Sequence, residues 1–141
     1  MKKEDFMRLA IRDAKENKHH FGAVVVKGNK VIAKAGKRPI GDARYHAETT
    51  ALLKATKKLG VKRFPKGCML YTTCEPCVMC FYMAWITGIS KIVYGATLQD
   101  ALKFGFQEID INIDELNRKG GNRVKLRKGF LRDECLALFK R

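Results

Sequence analysis

The chain has 141 residues, of which 46% are hydrophobic and 30% charged, and 29 Lys and Arg against 14 Asp and Glu give a formal net charge of +15. This length suits one compact domain, residues 1–141, and no apolar run approaches the roughly 20 residues that a membrane-spanning helix needs. Acidic residues follow the first lysines, where a signal peptide would turn apolar. We therefore expect a single-domain cytoplasmic protein without a membrane partner.

The first half of the chain predicts a helix, a β-hairpin and a second helix. Phe6, Leu9 and Ala10 follow helical spacing. The turn "VKGNKV" separates two apolar runs, which predicts strands at 23–26 and 31–35. A loop with several glycines and a proline leads to a helix over residues 46–59, which Gly60 ends.

The second half predicts alternating strands and helices. We expect a strand at 69–73, a helix from Pro76 to about residue 87, and a strand at 92–94. A short helix at 100–104, a strand at 123–127 and a last helix from about residue 131 follow. This alternation is typical of a three-layer α/β/α domain in which crossover connections make part of the sheet parallel.

The segment "YTTCEPCVMC" places Cys74, Cys77 and Cys80 at three-residue intervals. Reducing cytoplasm disfavours disulfides, which leaves metal binding or catalysis as the use of such a cluster. Cys77 and Cys80 lie one helical turn apart and can bind one zinc ion, whose third protein ligand must come from elsewhere. Cys68 and Cys135 are predicted to be core residues.

The segment His46-Ala47-Glu48 supplies the missing ligand together with a carboxylate that can remain off the metal as general acid and base. His-x-Glu followed by Pro-Cys-x-x-Cys is the signature of zinc deaminases. We therefore predict one Zn²⁺ per chain held by His46, Cys77 and Cys80, with Glu48 catalytic. A closed structural site that includes Cys74, or a redox-active cysteine pair, would leave Glu48 without a role.

These motifs make the chain resemble the cytidine deaminase superfamily, in the branch of guanine, guanosine, cytosine and tRNA adenosine deaminases. Further segments resemble the first hairpin ("FGAVVVKGNKVIAKA") and the fourth strand ("GISKIVYGAT") of that family. The resemblance implies a central five-stranded mixed sheet, zinc between the starts of two helices, and hydrolytic removal of an exocyclic amino group as ammonia. It also implies a homodimer.

Two substrate classes remain open from the resemblance. "DALKFGFQEI" resembles the guanine and guanosine branch, with Glu108 in place of an aspartate that helps to hold and protonate the purine, which favours a free purine base or nucleoside. The net charge, the acid-free basic stretch 118–128 and "GFLRDECLALFKR" favour adenosine in tRNA. A cytosine or cytidine type is a further alternative, and a lysine-rich surface can also serve stability alone.

The substrate contacts depart from the family at one place. No asparagine lies between Val31 and His46, and the position that would match it holds Lys37 in "KAGKRPIG". Lys37 and Arg38 are therefore predicted to bring positive charge to the mouth of the site. Trp85, beyond the last ligand on the same predicted helix, is either a core residue or an aromatic ring that stacks on the base.

Overall fold

The elements form one five-stranded sheet with helices against both faces, in a computed structural model that describes residues 1–39 and 41–140. In chain order they are α1 (Lys3–Glu16), β1 (Ala23–Lys27), β2 (Lys30–Lys34), α2 (Ala47–Leu59), β3 (Cys68–Cys74), α3 (Val78–Thr87), β4 (Lys91–Ala96), α4 (Leu98–Lys103), α5 (Ile113–Lys119), β5 (Lys125–Arg127), α6 (Arg132–Leu136) and a final 3₁₀ turn (Ala137–Lys140). No helix among these described residues is long and apolar enough to cross a membrane.

The sheet is mixed, with the strand order β2-β1-β3-β4-β5. β1 runs antiparallel to both of its neighbours, whereas β3, β4 and β5 are parallel to one another. Parallel neighbours need crossover connections, which helix α3 and helices α4 and α5 supply. The carboxyl ends of β3 and β4 consequently lie at the same end of the sheet, so the segments that follow Cys74 and Ala96 meet there. The predicted α/β/α fold with a five-stranded mixed sheet is confirmed.

Two apolar cores cover the two faces because successive side chains of each strand point in opposite directions. One core joins the sheet to α2, α3 and α5, and the other joins it to α1, α6 and the 3₁₀ turn. A Cβ on Gly95 of β4 would overlap Sγ of Cys135, so glycine allows α6 to pack directly on the strand. Cys68 and Cys135 are both fully buried, as predicted.

Several boundaries differ from the sequence prediction by one or two residues, and one helix was not predicted. α3 begins at Val78 instead of Pro76, because Cys77 keeps an extended backbone as the residue that caps the helix. α6 ends after five residues and continues as the 3₁₀ turn. The seven-residue α5 was not predicted, since its segment is polar and lacks a clear helical period.

Candidate active site

His46 and Cys77 both cap helices at the carboxyl end of the sheet. His46 precedes α2 and Cys77 precedes α3, with extended backbones at φ −74° and −70°. Cys80, in the first turn of α3, is fully buried. The unpaired N–H groups of a helix N-terminus favour negative charge, and the Cys77 thiol, whose pKa is lowered, lies at such a terminus.

The ligand atoms of the predicted site converge. Nδ1 of His46 lies 3.5 Å from Sγ of Cys77 and 3.5 Å from Sγ of Cys80. The three ligand atoms all lie within 4.8 Å of one another. A tetrahedral zinc ion with bonds of about 2.0 Å to nitrogen and 2.3 Å to sulfur holds those ligands about 3.6 Å apart. Two thiols and one imidazole at this spacing therefore fit zinc and leave a fourth position for water.

Cys74 lies beside this group without joining it. Its thiol Sγ is 3.8 Å from the carbonyl oxygen of Thr97, to which it donates. Burial raises the pKa of Cys74 well above its usual value, and nearby carboxyl groups, Glu48 first among them, raise it further. The ligand atoms that converge come from His46, Cys77 and Cys80 and do not include the Cys74 thiol, which disfavours the closed site with Cys74 as a fourth ligand.

The pKa values of two side chains at the site, Cys77 and Glu48, depart strongly from their usual values. The pKa of Cys77 is lowered, first by the hydrogen bond from the Cys80 thiol and then by His46. Burial raises the pKa of Glu48 to about 8, and the negative charge of Cys77 contributes to the rise. Glu48 is only 6% exposed. A carboxyl group whose pKa lies near neutrality can both take up and release a proton, which is what a general acid and base requires.

A cavity of about 240 Å³ opens in front of the ligands. Its lining residues are Phe21, Arg38, Tyr45, His46, Ala47, Glu48, Cys74, Glu75, Cys77, Phe106, Gln107 and Glu108. A wider hollow of about 590 Å³ adjoins it and shares His46, Cys77 and Glu108 with it. Glu48 and Glu108 thus both line the space beside the ligands.

Of the two basic residues predicted at the mouth, the structure brings one to the cavity. Arg38 is 9% exposed, and its Nη2 donates to the carbonyl oxygen of Phe21 at 3.0 Å. Its Nη1 is buried and has no hydrogen-bond partner among the described residues. Lys37 is exposed and is not among the lining residues. The backbone turns at Gly36, where φ is +65°. Arg38, two residues later, is the side chain that lines the cavity.

Trp85 lines neither the inner cavity nor the adjoining hollow, which favours core packing over stacking among its two predicted roles. It packs on the far side of α3, where Nε1 donates to the carbonyl oxygen of Gly120 at 3.1 Å. The guanidinium of Arg123 lies 3.7 Å from the ring centroid. Trp85 follows Cys80 by five residues, which turns it about 140° around the helix and away from the ligand.

Sequence reasoning missed Glu75, which organises the site. This buried carboxylate accepts hydrogen bonds from the N–H of Leu98 at 3.0 Å and of Ile113 at 2.9 Å. It therefore fastens the first residues of α4 and α5 to the loop that carries the cysteines. The sequence shows that Glu75 lies between Cys74 and Cys77, but it does not show that Leu98 and Ile113 are its hydrogen-bond partners.

Sequence reasoning also missed two aromatic side chains that form part of the cavity wall. Phe21 and Phe106 meet edge to face with their ring centroids 4.9 Å apart, and both line the cavity. Phe21 precedes β1 and Phe106 follows α4, so nothing local in the sequence indicated that they meet.

The arrangement defines a metal-dependent hydrolase, in which a buried carboxyl group lies beside three ligands and an open cavity. Residues 1–96 match the family model of the cytidine and deoxycytidylate deaminase zinc-binding region, and the chain belongs to this family. A tRNA-specific adenosine deaminase of Aquifex aeolicus is 36% identical over 102 residues, covering 68% of this chain and 67% of its own. A guanine deaminase of Bacillus subtilis is 36% identical over 115 residues, covering 77% and 73%.

The fold comparison agrees with the sequence comparison. The solved structure of a guanine deaminase from Nitrosomonas europaea superposes with a TM-score of 0.86 at 27% identity, covering 99% of this chain and 83% of that one. The chain is therefore a zinc-dependent nucleobase or nucleoside deaminase, a hydrolase acting on C–N bonds.

Proposed function

We propose that the protein removes the exocyclic amino group of a free purine base or nucleoside of the guanine type. The observation that carries this proposal is the pairing of Arg38 and Glu108 in one small cavity. An arginine can only donate hydrogen bonds, whereas a carboxylate accepts them. Guanine presents a carbonyl oxygen and ring N–H groups, which match one donor and one acceptor.

The electrostatics of Glu108 support a substrate contact. Burial raises its pKa, the charge of Cys77 raises it further, and His46 lowers it. Glu108 therefore lies within the field of the metal ligands. In this position it can accept an N–H of the purine or return a proton to it.

Glu48 carries the proton transfers of the proposed reaction. Zinc, when bound by His46, Cys77 and Cys80, supplies the Lewis acid that lets water act as a nucleophile at neutral pH. Glu48 takes a proton from that water and delivers it to the ring nitrogen, and then assists the departure of the amino group. Water and the amino-bearing base thus give the carbonyl-bearing base and ammonia.

The size and charge of the site favour a small substrate over RNA. The inner cavity, at about 240 Å³, is below the ~300–1,000 Å³ of pockets for drug-sized ligands. Arg38 is the only Lys or Arg among the described residues that line the inner cavity or the adjoining hollow. An RNA substrate would need several cations there to contact its phosphates. Adenosine in tRNA remains the second candidate, because a tRNA-specific adenosine deaminase is 36% identical to the chain.

We also propose a homodimer that works in the cytoplasm. Met79, Tyr82 and Ile86 lie at helical spacing on α3 and are 40%, 58% and 40% exposed, and Leu53 of α2 is 51% exposed. Such a row of apolar side chains suits burial against a second copy.

All five cysteines are free thiols, which suits a reducing compartment.

Ammonia release from guanine, guanosine, cytosine, adenine and tRNA tests the substrate. We expect turnover of guanine or guanosine, and a loss of about 10- to 100-fold in kcat/KM in Arg38→Gln, since a hydrogen bond to a charged group contributes about 1.5–3 kcal/mol. Lys37→Gln is the matched control, because it removes the same charge one residue away on the exposed side. Glu108→Gln should raise KM or lower kcat. Release from tRNA with none from the free bases and nucleosides would overturn the proposal.

A further inference from the structure

A groove separate from the active-site cavity lies at the opposite end of the sheet from the metal ligands, and this groove is strongly basic. Its volume is about 730 Å³. Five cationic side chains from three segments line it, with no Asp or Glu among the described lining residues: Arg63, Lys66, Lys91, Arg123 and Lys125. β3 runs from this groove at Cys68 to the active site at Cys74, a distance of about 20 Å for a seven-residue strand.

Strand pairing brings two of these lysines side by side on one face of the sheet. Lys91 of β4 pairs with both Met69 of β3 and Lys125 of β5. Lys27 and Lys30 lie at the same end of the sheet but are in register with Cys68, the neighbour of Met69, so their side chains lie on the opposite face. The basic surface therefore consists of the five groove residues.

The positive charges of this groove are not neutralised within the protein. The ion pairs found in residues 1–39 and 41–140 use Arg8, Arg44 and Arg132, none of which lines the groove. Burial lowers the pKa of Lys91, and the charges of Lys3, Arg127 and Lys125 lower it further. Like charges that converge in this way repel one another unless a negatively charged partner offsets them.

Trp85 gives the groove a fixed cation. The ring lies under the Arg123 guanidinium, which is 3.7 Å from its centroid, and its Nε1 donates to Gly120. A guanidinium stacked in this way loses less side-chain freedom on binding a phosphate than a free one. The groove therefore combines one positioned arginine with mobile lysines.

We infer that this surface, defined by the five groove residues, binds the sugar-phosphate backbone of an RNA strand. Successive phosphates along a strand can contact all five cations, whereas one phosphate group would contact only some of them. Since the surface and the active site are about 20 Å apart, the bound stretch of RNA is not the deamination substrate. The surface would hold the enzyme on RNA while the zinc site accepts a free base.

Fluorescence anisotropy with a labelled 20-nucleotide single-stranded RNA tests the inference on the zinc-loaded, full-length protein between 50 and 200 mM salt. The groove variant combines Lys66→Gln, Lys91→Gln and Lys125→Gln. The control variant, Arg12→Gln with Lys15→Gln and Lys34→Gln, loses the same charge from exposed positions elsewhere. Wild type should bind with a steep salt dependence, and the groove variant should reduce the slope of log K against log salt by about 2, at about 0.7 per lost contact. The control should keep the wild-type slope.

Ammonia release from guanine separates this inference from the proposed function. Both triple variants should turn over guanine as wild type does, and saturating RNA should not inhibit that reaction. Equal losses of RNA affinity in the two variants would overturn the inference, because net charge alone would then explain binding. Competitive inhibition by RNA, or binding of ATP or of phosphatidylserine vesicles without binding of RNA, would overturn it as well.

Discussion

Glu48 combines three properties at one residue: it is buried, it lies two positions from a metal ligand, and its pKa is raised to about 8. The replacement Glu48→Gln keeps its shape but cannot carry a proton. We expect kcat for ammonia release to fall by about 10²- to 10⁴-fold, the usual contribution of general acid and base catalysis. Metal analysis should still find one zinc per chain. Turnover close to wild type would exclude the proposed proton carrier.

Cys77 and Cys74 make a matched pair, since both flank the Glu-Pro dipeptide and only one has its sulfur near Nδ1 of His46. Cys77→Ser should lower zinc affinity by more than the roughly 10- to 100-fold typical of losing an outer-shell partner. Cys74→Ser should retain zinc, because the thiol donates to a carbonyl instead of binding metal. Titration with a chelator measures both affinities. Equal loss of zinc in the two variants would favour the closed four-ligand site.

At the scale of elements, Glu75 connects the loop between β3 and α3 to the starts of α4 and α5. Its two carboxylate oxygens accept hydrogen bonds from the first residues of those two helices. Glu75→Gln retains one acceptor and leaves one buried N–H without a partner. We expect the free energy of unfolding to fall by about 1–3 kcal/mol in urea titration. Gln99→Ala, which removes an exposed bond to Asp110 nearby, should change it by less than about 0.5 kcal/mol. Equal effects of the two changes would show that Glu75 is not the fastening point.

The elements that could be predicted from the sequence are those whose signals are local. The ligands and Glu48 belong to two short motifs, and α2 ends at a glycine with φ +68° that is visible as Gly60. α5 could not be predicted, since its first N–H is satisfied by Glu75, 38 positions away. The choice of Arg38 over Lys37 as the inward residue likewise depends on the backbone at Gly36 and on the distant Phe21 carbonyl.

For the whole molecule, the exposed apolar face of α3 predicts association. Wild type should sediment as two chains at micromolar concentration. Tyr82→Asp combined with Ile86→Asp should give monomers, because a charge buried in an apolar interface is costly. Ile111→Asp is the control, since Ile111 is 36% exposed and belongs to the segment between α4 and α5 instead of to α3. A monomeric wild type, or dissociation by the control alone, would contradict this assignment.

The segment between α4 and α5, residues 104–112, has a consequence for how such enzymes diversify. It contributes Phe106, Gln107 and Glu108 to the cavity but none of the three metal ligands. Glu75 accepts from the N–H of Leu98 at the start of α4 and of Ile113 at the start of α5, so the stretch formed by α4 and this segment is held at both ends. Its length and residues can therefore be exchanged while the metal centre keeps its geometry. The part of the cavity wall that this segment supplies is thus separable from the metal centre, so grafting another loop here would reshape the cavity while Arg38 and the three ligands stay in place.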